Sequence, residues 1–250
     1  MSAGGPILAL WSAPRCRSTA FFRMMLERGD VRAVHEPFSY LAEFGRVAVG
    51  EHTVSTEAAL LARLRELAAG GPVFFKDTTD ERYPALLADR AFLAGDARHA
   101  FLIRPPRETI ASYVRINPGV RAEQIGFGHQ WEIFEAVRAA TGRVPFVMDS
   151  ARLLAEPAAV VAEYCAAMEI DFRPDALSWQ PGARTEWGPS ERWHAEVSRT
   201  SGFAVPEQPG GAAGAVEAVE AVEAVEDDDR LAAILDYQQP FYERLLAHAV

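Results

Sequence analysis

Residues 7–19 read Ile7-Leu8-Ala9-Leu10-Trp11-Ser12-Ala13-Pro14-Arg15-Cys16-Arg17-Ser18-Thr19, an apolar run followed by a tight polar loop with two arginines. An apolar run over residues 7–11 without alternation is the pattern of a strand buried on both faces. From Ala20 the spacing turns helical: Phe21, Phe22, Met24, Met25 and Leu26 supply a core face, and Gly29 ends it. A loop that leaves a buried strand and opens a helix aims its free backbone N–H groups at one point, where the helix dipole adds positive potential. Ser18 and Thr19 add hydroxyl donors, and Arg15 and Arg17 add full charges. The loop is therefore expected to hold a phosphate or sulfate group.

Working outward, residues 31–35 read as a short second strand. Glu36 stands at its end, and Pro37 biases Glu36 towards an extended conformation. Residues 38–49 are helical or irregular, and residues 56–69 form an amphipathic helix stopped by Gly70-Gly71. Residues 72–77 are a strand with Lys76 and Asp77 at its C-terminal end, and 83–92 a helix. A further buried strand over 99–103 runs into Arg104-Pro105-Pro106 and a helix over 107–116. A longer helix over 121–140, a last strand over 144–148 and a helix from Glu156-Pro157 to Met168 follow. Short buried strands alternating with amphipathic helices predict an α/β three-layer sandwich with a central, mostly parallel sheet. In such sheets ligands sit beyond the C-terminal strand ends, where the arginine loop, Glu36, Lys76 and Arg104 all fall.

The chain has 250 residues, enough for one substantial core, and no linker divides it, so a single domain over 1–250 is expected. Its apolar runs are too short to span a bilayer, and basic residues follow the first run rather than precede it, which argues against a signal peptide. Cys16 and Cys165 have no metal-like or redox spacing, and free thiols in a cytoplasmic protein account for them. Of the formal charge of −10, seven acids lie between Ala215 and Asp229, and setting them aside leaves −3. The remainder has room for a local basic cleft but gives no sign of nucleic-acid binding. Residues 179–203, with Trp179, Trp187, Trp193 and His194, read equally well as a lid over a ligand and as a loop packing its tryptophans on the core. The Ala-Val-Glu copies of 215–226 stack like charges and read as a frayed helix or a disordered insertion, so 212–229 is expected to be a flexible acidic stretch without chemistry, after which Asp229 caps a C-terminal helix. Lys76 is the single lysine among 25 basic residues, a distinction that matters where a compact, mobile point charge is needed.

The loop lacks the glycines and lysine of a G-x-x-x-x-G-K-[ST] nucleotide site. As a phosphatase nucleophile Cys16 would need an arginine six positions on, where Phe22 stands, although Arg15 and Arg17 would lower its thiol pKa. Pro14-Arg15-Cys16-Arg17-Ser18-Thr19 resembles the 5′-phosphosulfate loop of sulfotransferases that use 3′-phosphoadenosine 5′-phosphosulfate (PAPS). Arg104-Pro105-Pro106-Arg107-Glu108-Thr109-Ile110-Ala111-Ser112-Tyr113 is similar to their second motif. The resemblance implies that residues 15–19 cradle the 5′-phosphosulfate and that Arg104 and Ser112 hold the 3′-phosphate. It also implies that Glu36, at the end of the second strand, is the general base, with Lys76 and Arg15 stabilising the transferring group. His35 is the reserve base. PAPS is then the co-substrate, a small-molecule hydroxyl the acceptor, and no metal is required.

Arg17 stands where many members of that family have glycine, and Cys16 where many have serine. Ala20 replaces an adenine-stacking aromatic, a task left to Phe203 or a tryptophan of 179–203, and no histidine follows Lys76. Two other readings stay open: a small-molecule kinase on a degenerate loop, and a non-catalytic nucleotide-binding protein.

Overall fold

The computed structural model describes residues 4–203 and 212–250. Five strands form one parallel sheet: β1 (Ile7–Ser12), β2 (Arg32–His35), β5 (Val73–Thr78), β6 (Ala97–Ile103) and β7 (Phe146–Asp149), in the order β2-β5-β1-β6-β7. A small antiparallel hairpin, β3 (Val47–Val49) and β4 (His52–Val54), stands apart. Every residue of β1 is buried. That is the reason its sequence does not alternate: even-numbered Leu8 and Leu10 pack into one core layer, while Ile7, Ala9 and Trp11 pack into the other. The edge strand β7 is closed off by the C-terminus, where Val250 N–H donates to Val147 O at 3.1 Å.

Helices cover both faces. One layer contains α1 (Ser18–Glu27), α7 (Ser150–Ala155) and α8 (Pro157–Ala167), whose Phe21, Leu153 and Val160 share a core with Leu8 and Leu10. The other is built from α2 (Pro37–Phe44), α3 (Glu57–Ala69), α4 (Pro84–Ala88), α5 (Pro106–Val114), α6 (Phe127–Thr141), α9 (Ala212–Asp227) and α10 (Asp229–Leu246). The expected three-layer α/β sandwich is the observed one.

Several boundaries differ from the sequence reading. The helix expected over 121–140 is split: a 3-10 turn, Ala122–Ile125, precedes α6, and Gly126 between them adopts φ +92°. A Cβ at Gly126 would lie 2.7 Å from Thr79 O, and the Thr79 hydroxyl donates to Gly126 O at 2.9 Å, so this close approach overrides helical continuity. The stretch over 83–92 is a five-residue α4 followed by a separate wide turn, Phe92–Asp96. Asp228, rather than Asp229, caps α10, accepting from the N–H groups of Arg230 and Leu231. The Ala-Val-Glu stretch is helical in α9. Its three-residue period brings Val222 and Val225 onto one face, with Val225 fully buried and Val222 packed against the core.

Candidate active site

All five parallel strands end on the same side of the sheet, and there a cleft of ≈ 1210 Å³ opens. Its wall includes Arg15, Arg17, Ser18, Thr19, Glu36, Lys76, Arg104 and Ser112, eight of the nine residues singled out from the sequence. Cys16 is the ninth. Its side chain is fully buried beneath the loop, with Sγ 3.9 Å from the Thr109 hydroxyl, and does not line the cleft. Burial pushes the thiol up to about 11, outweighing the nearby cations, of which Arg104 has the largest effect. The lowered pKa expected from Arg15 and Arg17 is thus reversed, because desolvation of a thiolate inside the core costs more than those charges return.

The loop makes its turn without glycine. Arg15 (φ 66°) and Arg17 (φ 68°) both occupy the left-handed region, and Glu36 (φ 45°) does so at the end of β2. Glu36 is therefore not extended, as Pro37 led us to expect. It is the left-handed residue preceding α2, and Pro37 begins that helix. Three of the four non-glycine residues with positive φ among those described lie on this cleft. Backbone strain of this kind persists only where its surroundings over-determine it.

Those surroundings can be named. The Asp77 carboxylate accepts from the N–H groups of Phe38 at 2.6 Å and Ser39 at 3.0 Å, capping α2 in place of Glu36. Glu36 N–H donates to Lys76 O at 2.8 Å, continuing the β2–β5 ladder one step beyond His35. With its helix capped by another residue, the Glu36 side chain is left to pair with the Lys76 ammonium. Lys76 is 1% exposed and Glu36 7%, so the pair is largely withdrawn from water.

The second constellation joins the loop to α5. Arg15 Nε donates to Ser112 Oγ at 3.0 Å, and Arg104 donates to Arg15 O at 3.0 Å while its Nε holds Glu108 Oε2 at 2.9 Å. Arg104 and Ser112 thus converge on the loop although about 90 residues of chain separate them from it. Other cleft cations carry internal partners as well: Arg15 lies 3.7 Å and Arg115 3.2 Å from Glu196, and Arg107 pairs with Glu226 of α9. Arg17 makes no ion pair among the described residues.

Residues 179–203 pack two tryptophans into the interior, the core-packing alternative, and also contribute to the cleft wall. Trp179 and Trp187 are buried, whereas Trp193, His194 and Phe203 line the cleft. Trp193 packs on Tyr113 (ring centroids 5.3 Å apart), its backbone oxygen accepts from Arg15 at 2.7 Å, and Phe203 packs on Phe21. His194 is not among the residues singled out from the sequence, where only its place directly after Trp193 in an aromatic and basic stretch marks it. Nor did the repeat signal that Ala221, Val222 and Glu223 of α9 would form part of the wall. His35 is 4% exposed, does not line the cleft, and is held well below the usual imidazole range by burial and by Lys76. His35, Glu36 and His194 bring potential metal-ligand atoms within 4.8 Å of one another. Glu36 already pairs with the Lys76 ammonium, which opposes a cation there, and hydroxyls engage both nitrogens of His194 and the Nδ1 of His35.

A parallel sheet whose first strand opens through an arginine-bearing loop into a helix, with basic residues at its C-terminal edge, has the α/β architecture of the P-loop kind. The family model described as "Sulfotransferase domain" matches residues 6–249, and the chain belongs to that family. It is similar to branched-chain-amino-acid aminotransferase-like proteins 2 and 1 of Arabidopsis thaliana, at 25% identity over 213 residues and 26% over 217. Both alignments cover 81% of this chain, which spans only 37% of the length of either relative. Among solved structures, the sulfotransferase domain from the curacin biosynthetic pathway matches with a TM-score of 0.50 at 14% identity, over 77% of this chain and 83% of that one. No helix among the described residues is long and apolar enough to cross a membrane.

Proposed function

We propose that the protein transfers the sulfuryl group of PAPS to a hydroxyl of a small-molecule acceptor, with Glu36 as general base. The observation that carries this reading is the buried Glu36–Lys76 pair beside the Arg15–Ser112–Arg104 constellation in one cleft. Family membership and the order of the two motifs support PAPS as the donor. The 5′-phosphosulfate would rest on the N–H groups of residues 15–19, Cys16 contributing only its backbone, with the Ser18 and Thr19 hydroxyls and Arg17 completing the cradle. Arg104 and Ser112 would take the 3′-phosphate, and Trp193 or Phe203, both on the cleft wall, would face the adenine.

In this mechanism Lys76 has two anions to serve. With the cleft empty it neutralises Glu36. An incoming sulfuryl group draws the ammonium towards its own oxygens, freeing a Glu36 oxygen to accept the acceptor's proton as the S–O bond forms. The leaving 5′-phosphate keeps its negative charge against Arg15 and the helix N-terminus. Glu36 is preferred over His35 because Glu36 lines the cleft and His35 does not. Calorimetry with 3′-phosphoadenosine 5′-phosphate (PAP) and turnover of PAPS across a panel of hydroxyl acceptors test the reading. Binding and turnover are expected, and neither being detected would end it. Arg104→Ala should weaken PAP far more than a nucleotide lacking the 3′-phosphate, whereas equal losses would remove Arg104 from that role.

A further inference from the structure

His194 joins the phosphate loop to the base-bearing strand. Its Nδ1 lies 3.1 Å from Thr19 Oγ1, and its Nε2 lies 2.9 Å from Ser190 Oγ. Ser190 also contacts the Tyr40 hydroxyl, and Tyr40 is 2.9 Å from His35 Nδ1, next to Glu36. The imidazole is 4% exposed, and burial pushes it down to about 2, with Lys76 adding to the shift. A neutral ring has one N–H and one lone pair, so its two sides cannot both donate.

The hydroxyl partners admit either arrangement, so what occupies the loop can select between them. Ser190 Oγ donates to Trp187 O at 2.9 Å, and the Tyr40 hydroxyl donates to the same oxygen at 2.7 Å. Where the Ser190 proton goes to Trp187 O, Ser190 Oγ accepts from His194, which places the imidazole proton on Nε2 and the lone pair on Nδ1. Thr19 must donate to that lone pair, so with the cleft empty its proton points away from where an anion would rest. An anion in the loop reverses the demand, because a phosphate or sulfate oxygen needs Thr19 as a donor. The network can meet it without moving a heavy atom. His194 takes the Nδ1–H tautomer and donates to Thr19, while the Ser190 hydroxyl turns from Trp187 O to donate to Nε2. Tyr40 still satisfies Trp187 O. The imidazole is neutral in both states, and the proton it loses at Nε2 and gains at Nδ1 exchanges with solvent.

We infer that His194 is a positioning residue whose tautomer sets the direction of the Thr19 hydroxyl, so that the 179–203 segment is tied to the occupancy of the anion loop. This rests on the proposed donor site but not on the transfer reaction, and it separates His194 from the group that takes the acceptor's proton.

The test is the 15N spectrum of His194 in the full chain, assigned with His194→Asn, free and then with saturating PAP. Inorganic sulfate serves as a second probe, so the residue is read even were PAP not to bind, an outcome that would count against PAPS as donor. The expected result is Nε2–H in the free protein and Nδ1–H with either anion. The same tautomer in both states, or an imidazolium in either, would overturn the inference. Affinity gives the second readout. His194→Phe removes the contact that orients and polarises the Thr19 hydroxyl, so it should weaken PAP severalfold and leave adenosine 3′-phosphate, which lacks the 5′-phosphate, unchanged. His194→Asn, which keeps a hydrogen-bonding group near the Nδ1 position, should recover much of the loss. Equal weakening of both nucleotides, or of neither, would reduce His194 to a packing residue.

Discussion

Glu36 joins a strained backbone to the side chain proposed as general base. Held at φ 45° by the Asp77 cap and the β5 ladder, its carboxylate has no helix of its own to cap and faces Lys76. Glu36→Gln is isosteric and leaves the donor site alone. PAP affinity measured by calorimetry should stay within about twofold, while turnover of PAPS falls by about 10²–10⁴, the range general bases supply. Retained turnover would assign the base elsewhere. Asp80, on the same wall, is pushed up to about 6 by burial, with the charges of Glu36 and Glu81 adding to it and the Thr78 hydroxyl opposing. A carboxyl whose folded-state pKa is raised binds protons more tightly folded than unfolded, so its contribution to stability falls as pH rises from about 4 to about 6 and stays lowered above that. Asp80→Asn should raise the melting temperature at pH 7.5, raise it less at pH 5 and leave it unchanged near pH 3.5.

At the scale of elements, α2 depends on a cap borrowed from β5. Asp77 is fully buried and serves the N–H groups of Phe38 and Ser39, the positions where an N-cap side chain would act. Asp77→Ala should cost at least about 2 kcal/mol in urea unfolding, since it deletes a cap and leaves two buried donors unmet. It should also lower turnover, because the turn that aims Glu36 loses its anchor. Asp77→Asn keeps an acceptor and should lose less by both measures. Asp77 is next to Lys76 in sequence, yet its carboxylate serves the α2 N-terminus while Glu36 takes the ammonium.

For the molecule as a whole, the parallel sheet and the C-terminal placement of the site were legible because buried strands announce themselves as apolar runs, and the loop through its arginines and hydroxyls. Residues joined only by folding were not. His194 reaches Thr19 across 175 positions, and Val222 reaches the cleft through a helix whose repeat resembles filler. Gly126 broke a helix because of what it touches, Thr79, and no local pattern encodes that contact. Arg17 raised the question of how a loop without glycine turns, and the answer is that two arginines accept the left-handed conformation. Arg17→Gly should therefore gain up to about 1 kcal/mol in stability while losing anion affinity, measured by urea unfolding and PAP calorimetry.

The carboxylates that hold Arg15, Arg104, Arg107 and Lys76 have a consequence for ionic strength. An open basic groove gathers mobile counterions and sheds them when a phosphate arrives, so its affinity falls steeply as salt is added. Here the counterions are tethered to the chain, and an arriving PAP would displace Glu196, Glu108 or Glu226 rather than chloride. PAP affinity, titrated from 50 to about 500 mM salt, should decline far less than its phosphate charge would suggest. Glu196→Gln should steepen that slope while tightening binding at low salt.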